Sequence, residues 1–349
     1  MSGSPHSRTA PVSLLRRALS FPTLVSLALA GAFLAFLTTR FHVDLPATWS
    51  YVAASNPWFL ASALLVYYTT FPFRGARWRL LMRNILGRGT ALPGVGYFGQ
   101  LLLLGWFANS VSWFRLGDAY RAYLYSSEQG VSFTRTIGTI MAERFLDTIL
   151  VALLLLVATL LLISRGQGAS WPVLGSALGL LALVAAVLLA MGRARGWLLQ
   201  RLPRRLSGYY QQFHEGSLGS LRQIPAATLW GGLGWLAEVG RLYLVAQALG
   251  LELGLPLVIF LALANSLLTL VPTPGGLGAV ESGMVVLVVQ LSPLTTTNAA
   301  ALVVVDRAIS YLSITAFGAL LFLARSAAGG RRRGLGPPEA GEPKPLEPR

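Results

Sequence analysis

The sequence predicts an all-α integral membrane protein with about six transmembrane helices and two re-entrant helical hairpins in an inverted repeat. Three observations predict it. Of 349 residues, 54% are hydrophobic and only 12% charged, about half the charged share of an ordinary soluble domain. Several apolar runs are long enough to cross a bilayer. Within the apolar region 256–291, the stretch 264–281 (ANSLLTLVPTPGGLGAVE) cannot be one continuous helix. Pro272 and Pro274 each lack a backbone donor, and Gly275, Gly276 and Gly278 permit a sharp reversal. Broken backbone is tolerated at membrane depth only where protein buries it or water reaches it. Two short helices meeting beside a cavity are therefore expected.

In chain order, residues 1–20 form a basic N-terminus with Arg8, Arg16 and Arg17, and 21–38 the first span. That run is long and no small-residue cleavage site follows it, so it is expected to be retained. A short polar loop (40–57) leads to the second span at 58–73, which runs into a basic block of Arg74, Arg77, Arg79, Arg83 and Arg88. The first hairpin is expected at 94–114, closing by Asp118. Spans follow at 137–164 and 172–191. A basic linker (192–225) with scattered apolar residues suits the membrane surface. A span at 226–249, the second hairpin within 256–291 and a last span at 297–324 complete the transmembrane domain, 21–324. The tail, 325–349, is rich in Gly, Pro, Glu and Arg and is expected to be disordered.

Composition excludes several chemistries. There is no cysteine, hence no disulfide, thiolate metal site or cysteine nucleophile. His6, His42 and His214 lie in separate polar segments without metal-ligand spacing, and no cofactor is implied. The net charge of +15 would suggest nucleic acid as a partner in a soluble chain; its placement argues against that here. If both hairpins enter and leave on one face, 23 of the 28 Lys and Arg residues fall on one side. Basic excess marks the cytoplasmic face, so both termini are expected in the cytoplasm.

This topology contains two similar units, 58–164 and 226–324. Each reads span, hairpin, span, with an Ala-Asn-Ser tripeptide (108–110 and 264–266) in the hairpin. Each final span carries an acid–arginine pair, Glu143-Arg144 or Asp306-Arg307, and each preceding span an arginine, Arg77 or Arg241. Inverted repeats with interrupted helices in matching places point to a binding site near the membrane midplane. Bundle symmetry alone is the plainer alternative.

Charges inside spans carry the chemistry, because each is costly there without a neighbour. Glu143 and Asp147 share a helix face, and Arg144 can reach Asp147 at i, i+3. Glu238 and Arg241 make a second such pair, which could simply pin helix packing. Asp306 and Arg307 point apart and need partners elsewhere, while Arg307 shares a face with Tyr311. Glu281 could be only an acid at a helix start, favoured by the helix dipole. Arg74 to Arg88 read most simply as positive-inside charge. Arg115, Arg121, Arg144, Arg241 and Arg307 favour an anionic group such as phosphate, and a charged head with an apolar body suits a cavity open to lipid.

At these residues a resemblance emerges. Asn109-x3-Trp113-x-Arg115-x-Gly117-Asp118-x2-Arg121, Glu143-Arg144-x2-Asp147, Pro272-x-Pro274-Gly275-Gly276-Leu277-Gly278-x2-Glu281 and Asp306-Arg307 resemble the lysylphosphatidylglycerol synthase transmembrane-region family. The match covers roughly residues 16–325, and the PTPGGLG-x2-E block is its most specific part. The resemblance implies a multi-pass protein of a prokaryotic cytoplasmic membrane that moves lipids between leaflets. In fused members the lipid is aminoacylated phosphatidylglycerol. Trp113 stands where the family usually has proline, so the first hairpin is expected to be less sharply broken. The aminoacyl transferase domain is absent, so synthase activity is not expected. Stand-alone members are diverse, so the expected substrate comes from the charge placement: an anionic or zwitterionic phospholipid or a polyprenyl-phosphate-linked lipid. Asn109, Arg115, Asp118, Glu143, Arg144, Asn265, Glu281, Asp306 and Arg307 would line its path. The alternatives are a membrane-embedded transferase acting on a lipid head, with Glu143 or Glu281 as base, and a non-transporting scaffold for a lipid-modifying enzyme or glycosyltransferase.

Overall fold

The computed structural model describes residues 45–87, 89–164, 171–201 and 203–334, and every regular element among them is helical. The expected first span at 21–38 and the segment 1–20 lie outside the described residues. Three stretches of the described chain are long and apolar enough to cross a membrane: Phe133–Ser164, Pro274–Leu291 and Thr296–Ala327. Outward-facing Leu160, Leu161, Leu183, Leu189, Phe317 and Leu320 are exposed, as expected of surfaces solvated by lipid tails.

A short helix, α1 (Leu45–Ala53), precedes α2 (Pro57–Tyr68), which Asn56 caps by accepting the Trp58 N–H at 3.0 Å. After Thr69 the chain continues as α3 (Thr70–Leu86). The second span thus does not stop at Phe73. Its helix runs on through the basic block, and it buries Arg74 and Arg77 on one face beside Trp78, Leu81 and Met82. Arg83 stays exposed on another face.

The first hairpin consists of α4 (Val95–Val111), a tight turn at Trp113–Arg115 and α5 (Gly117–Gln129). Its returning arm is a polar helix, so the hairpin extends beyond the expected close at Asp118. The arms meet at Gly105 and Gly117, where a Cβ on Gly117 would collide with the Gly105 carbonyl oxygen. The break is also sharper than Trp113 suggests. Phe114 and Arg115 adopt left-handed backbone, at φ 62° and 52°, a region that costs roughly 1–2 kcal/mol per non-glycine residue.

Next come α6 (Phe133–Ser164), α7 (Trp171–Arg201) and α8 (Arg204–Ser217). The linker read at 192–225 is therefore mostly helical, and α8 packs along α6. Then α9 (Ile224–Ala248) leads to the second hairpin. Its arms are α10 (Leu255–Leu268) and α11 (Ala279–Leu291), joined through a turn at Pro274–Gly276. Gly275, Gly276 and Gly278 all take positive φ, the conformation glycine adopts without a Cβ penalty. The chain ends in α12 (Thr296–Arg307), a widened turn at Ala308–Leu312 and α13 (Ser313–Gly334). That last helix continues into the expected tail, with Arg325 held by Glu128 at 2.6 Å.

Packing between the two units is reciprocal. The final helix of the first, α6, lies on α10 of the second hairpin, while α13 lies on α4 of the first. The α2–α3 segment and α9 pack side by side, and the two hairpin turns touch. Apolar side chains from all these helices form one continuous core, which places the broken tips beside each other.

Candidate functional site

A cavity of about 280 Å³ opens where the two hairpin turns meet. Its wall takes Asn109, Ser110 and Arg115 from the first hairpin and Asn265, Ser266, Thr269 and Gly275 from the second. Arg144, Asp147 and Thr148 come from α6, Glu238 and Arg241 from α9, and Arg307, Ser310 and Tyr311 from the α12–α13 region. Trp106 and Trp235 supply aromatic wall, and the guanidinium of Arg74 lies 5.6 Å and 5.1 Å from their rings.

Apart from Arg115, each charge at the wall is held by an opposite one. Arg144 makes a bidentate contact with Asp118, at 3.0 Å and 2.8 Å. Arg77 grips Asp147 through two bonds of 2.7 Å and 3.0 Å, and lies 3.6 Å from Glu143. Arg74 reaches the same aspartate at 3.4 Å, and the Trp235 indole N–H donates to it at 3.3 Å. Arg121 donates to Glu143 at 2.7 Å. In the second unit Arg241 pairs with Asp306 and more distantly with Glu238, at 3.4 Å. Arg307 pairs with Glu281 at 2.7 Å. Burial of such ions is tolerated only with close pairing and further hydrogen bonds; this network supplies the pairing, while Arg121 Nη1 and Arg241 Nε are left without a hydrogen-bond partner.

The wiring repeats between units. In each, the acid of the acid–arginine pair faces the arginine of the preceding span: Glu143 with Arg77, Asp306 with Arg241. The neighbouring arginine faces an acid in the first turn of the returning hairpin arm: Arg144 with Asp118, Arg307 with Glu281. Adjacent residues on a helix point about 100° apart, so one pair serves two directions.

Other residues set the tips. Asn109 accepts the Gly117 N–H at 2.8 Å, bridging the first break. Glu281 accepts the Gly278 N–H at 2.7 Å, so it caps α11 as well as binding Arg307. Arg307 also donates to the Gly275 carbonyl at 3.0 Å and lies over the Tyr311 ring at 4.6 Å. Tyr311 in turn donates to the Ser110 carbonyl at 3.0 Å, linking the last helix to the first hairpin. Arg115 donates to the Thr269 carbonyl at 2.6 Å, across the gap between the turns. Among the described residues no group of three or more His, Cys, Asp or Glu could hold a metal ion.

Of the residues singled out from sequence, ten line the cavity: Asn109, Arg115, Arg144, Asp147, Glu238, Arg241, Asn265, Gly275, Arg307 and Tyr311. Arg77, Asp118, Arg121, Glu143, Glu281 and Asp306 stand behind it as partners. Pro274, Gly276 and Gly278 shape the turn, and Pro272 is exposed. Glu238–Arg241 is not self-sufficient, because Asp306 shares Arg241. Sequence reading gave no site role to Arg74, Ser110, Trp106, Trp235 and Ser310. For Arg74 a signal existed: it falls one helical turn before Arg77, in phase with Trp78, Leu81 and Met82.

The sequence profile of the lysylphosphatidylglycerol synthase transmembrane region matches residues 23–318. The chain belongs to this family. Its similarities extend to archaeal members. A UPF0104 membrane protein of Methanocaldococcus jannaschii is 29% identical over 224 residues, 62% of this chain and 93% of the relative. One from Methanothermobacter thermautotrophicus is 28% identical over 284 residues, 75% of this chain and 81% of the relative. The glycosyltransferase AglD of Haloferax volcanii is 24% identical over 318 residues; these are 79% of this chain but only half of that protein's length. Family and apolar helices together make this a membrane protein.

Proposed function

We propose that this member of the family moves a lipid across the cytoplasmic membrane, passing its charged head through the cavity between the two hairpin tips. The observation that carries the reading is the cavity itself. An arginine-lined chamber with both polar and apolar wall lies among helices whose outer faces are apolar, so a lipid's head and tails each find a matching environment. On this reading both hairpins are re-entrant, the two units are inverted, and both termini are cytoplasmic. The lipid is anionic or zwitterionic, because arginine side chains at the wall select phosphate. The exposed Val111, Phe114, Leu116 and Leu270 at the tips would meet the acyl chains.

One feature weighs against a transferase. Glu143 and Glu281, the acids available as bases, are each tied to an arginine at 2.7 Å, which occupies the oxygen a base would need. The similarity to AglD supports a narrower second role, as a membrane partner of a lipid-modifying or glycosyl-transferring protein.

The test is movement of labelled phosphatidylglycerol, aminoacyl-phosphatidylglycerol and polyprenyl phosphate in proteoliposomes. Wild type is compared with Arg144→Ala, Glu281→Gln and Arg307→Ala, each verified as folded. Movement of one lipid that the variants lose supports transport. No movement of any of them, with or without an ion gradient, removes it in favour of the partner role.

A further inference from the structure

Two matching seams border the cavity, and they are built differently. One runs between α4 and α13, where Trp106, Ser110, Tyr311 and Ile314 line the cavity. The other runs between α6 and α10, where Thr148, Val151 and Ala262 line it. Each joins the final helix of one unit to a hairpin arm of the other, so repetition alone would make them alike.

The α4–α13 seam is tied along its length. Next to the cavity, Tyr311 donates to the Ser110 carbonyl and Thr315 to the Ser110 hydroxyl, both at 3.0 Å. Further along, Gly318 sits so close to Phe107 that a Cβ there would collide with the ring-bearing side chain. At the far end Arg325 makes two bonds to Glu128, at 2.7 Å and 2.6 Å, with its guanidinium 5.7 Å from the Tyr97 ring. Tyr97 donates to the same carboxylate at 2.8 Å. Arg325 thereby fastens α13 to both arms of the first hairpin.

The α6–α10 seam has no such ties. Among the described residues no hydrogen bond or ion pair joins these two helices. The Thr148 and Ser164 hydroxyls turn back to carbonyls of their own helix, and Thr159 Oγ1 has no partner. Buried Val151, Leu155 and Leu162 on α6, and Leu257, Leu261 and Ala262 on α10, supply apolar surface instead. In lipid this difference decides which seam parts at lower cost. Apolar helix faces that separate are covered again by equally apolar lipid tails. A hydrogen bond broken away from water leaves both of its groups without a partner.

We infer that the α6–α10 seam is the side gate of the cavity, opening toward lipid in the outer half of the membrane. The α4–α13 seam stays shut, held by the Ser110 links and by Arg325–Glu128 as a latch. The outer-half placement rests on the topology proposed above; the inequality of the two seams does not.

The absence of cysteine allows spin labels to be placed in pairs on the full chain in lipid nanodiscs. Leu161→Cys/Leu255→Cys reports on the α6–α10 seam and Gly96→Cys/Leu323→Cys on the latched end of the other, all at exposed positions. Distances between labels should show, for the first pair, a second population longer by at least half a helix diameter, about 5 Å. The second pair should show a single distance. Glu128→Gln should add a longer population to the second pair and leave the first unchanged. A single distance at the first pair, or equal long populations at both, overturns the inference. A second pair unmoved by Glu128→Gln overturns the latch. Ile163→Cys/Leu255→Cys repeats the measurement if the first pair does not fold. Opening of this seam without lipid movement in vesicles would remove the transport reading alone. Lipid movement with a single distance at the first pair would remove this inference alone.

Discussion

Arg307 Nε lies 2.7 Å from Glu281 Oε1, tying the last long apolar segment to the returning arm of the second hairpin. Both side chains are about 11% exposed. The carboxylate also caps α11, and the guanidinium reaches the Gly275 carbonyl, so this one pair fixes the PTPGG turn from two sides.

Neutralising one member should therefore cost more than neutralising both. Glu281→Gln preserves an acceptor for the Gly278 N–H but strands a buried cation, at about 3–5 kcal/mol for such a break. The Glu281→Gln/Arg307→Gln double variant should recover a substantial part of that. Unfolding of the four proteins in detergent measures the coupling; strictly additive losses would count against the pair as described.

Asp147 should be the most sensitive acid of the network. It serves Arg74, Arg77 and the Trp235 indole, and its side chain is 10% exposed against 29% for Asp118. Asp147→Asn should lower the unfolding temperature more than Asp118→Asn does. The reverse order would mean that Arg144 and Asp118, not the Arg77 cluster, hold α6 in place.

How the site reads from sequence follows from this cluster. The second break, with its two prolines and three glycines, is legible because those residues have few other uses in an apolar run. The acid–arginine pairs are legible because charge inside a span demands a partner. What the sequence hides is where a helix ends. Arg74 sits in a block of arginines that looks like an ordinary cytoplasmic margin, and only the continuation of α3 to Leu86 turns it inward. Likewise α5 is polar enough to resemble a loop, yet ion pairs bury Arg121 to 1% exposure. The first break uses Phe114 and Arg115 in left-handed backbone, and no residue pattern announces that.

Two substitutions separate these backbone effects. Gly117→Ala should destabilise the chain by about 1–3 kcal/mol, as overpacking does, because the arms of the first hairpin meet there. Gly96→Ala, facing open space on α4, should be neutral or slightly stabilising. Equal unfolding temperatures for the two variants would contradict the close contact of α4 and α5.

Phe114→Gly should relieve left-handed strain of roughly 1–2 kcal/mol while removing only an exposed ring. Stability in detergent should hold or rise. A clear loss would show that the ring anchors the tip.

The most direct measurement uses the absence of cysteine. Ser266 lines the cavity beside Asn265, whereas Val245 is fully buried in the core. In membranes, Ser266→Cys should react with a water-soluble thiol reagent and be protected by added phosphatidylglycerol, while Val245→Cys stays unmodified. Failure of Ser266→Cys to react, or reaction that lipid leaves unchanged, would contradict a water-reached, lipid-binding chamber between the hairpins.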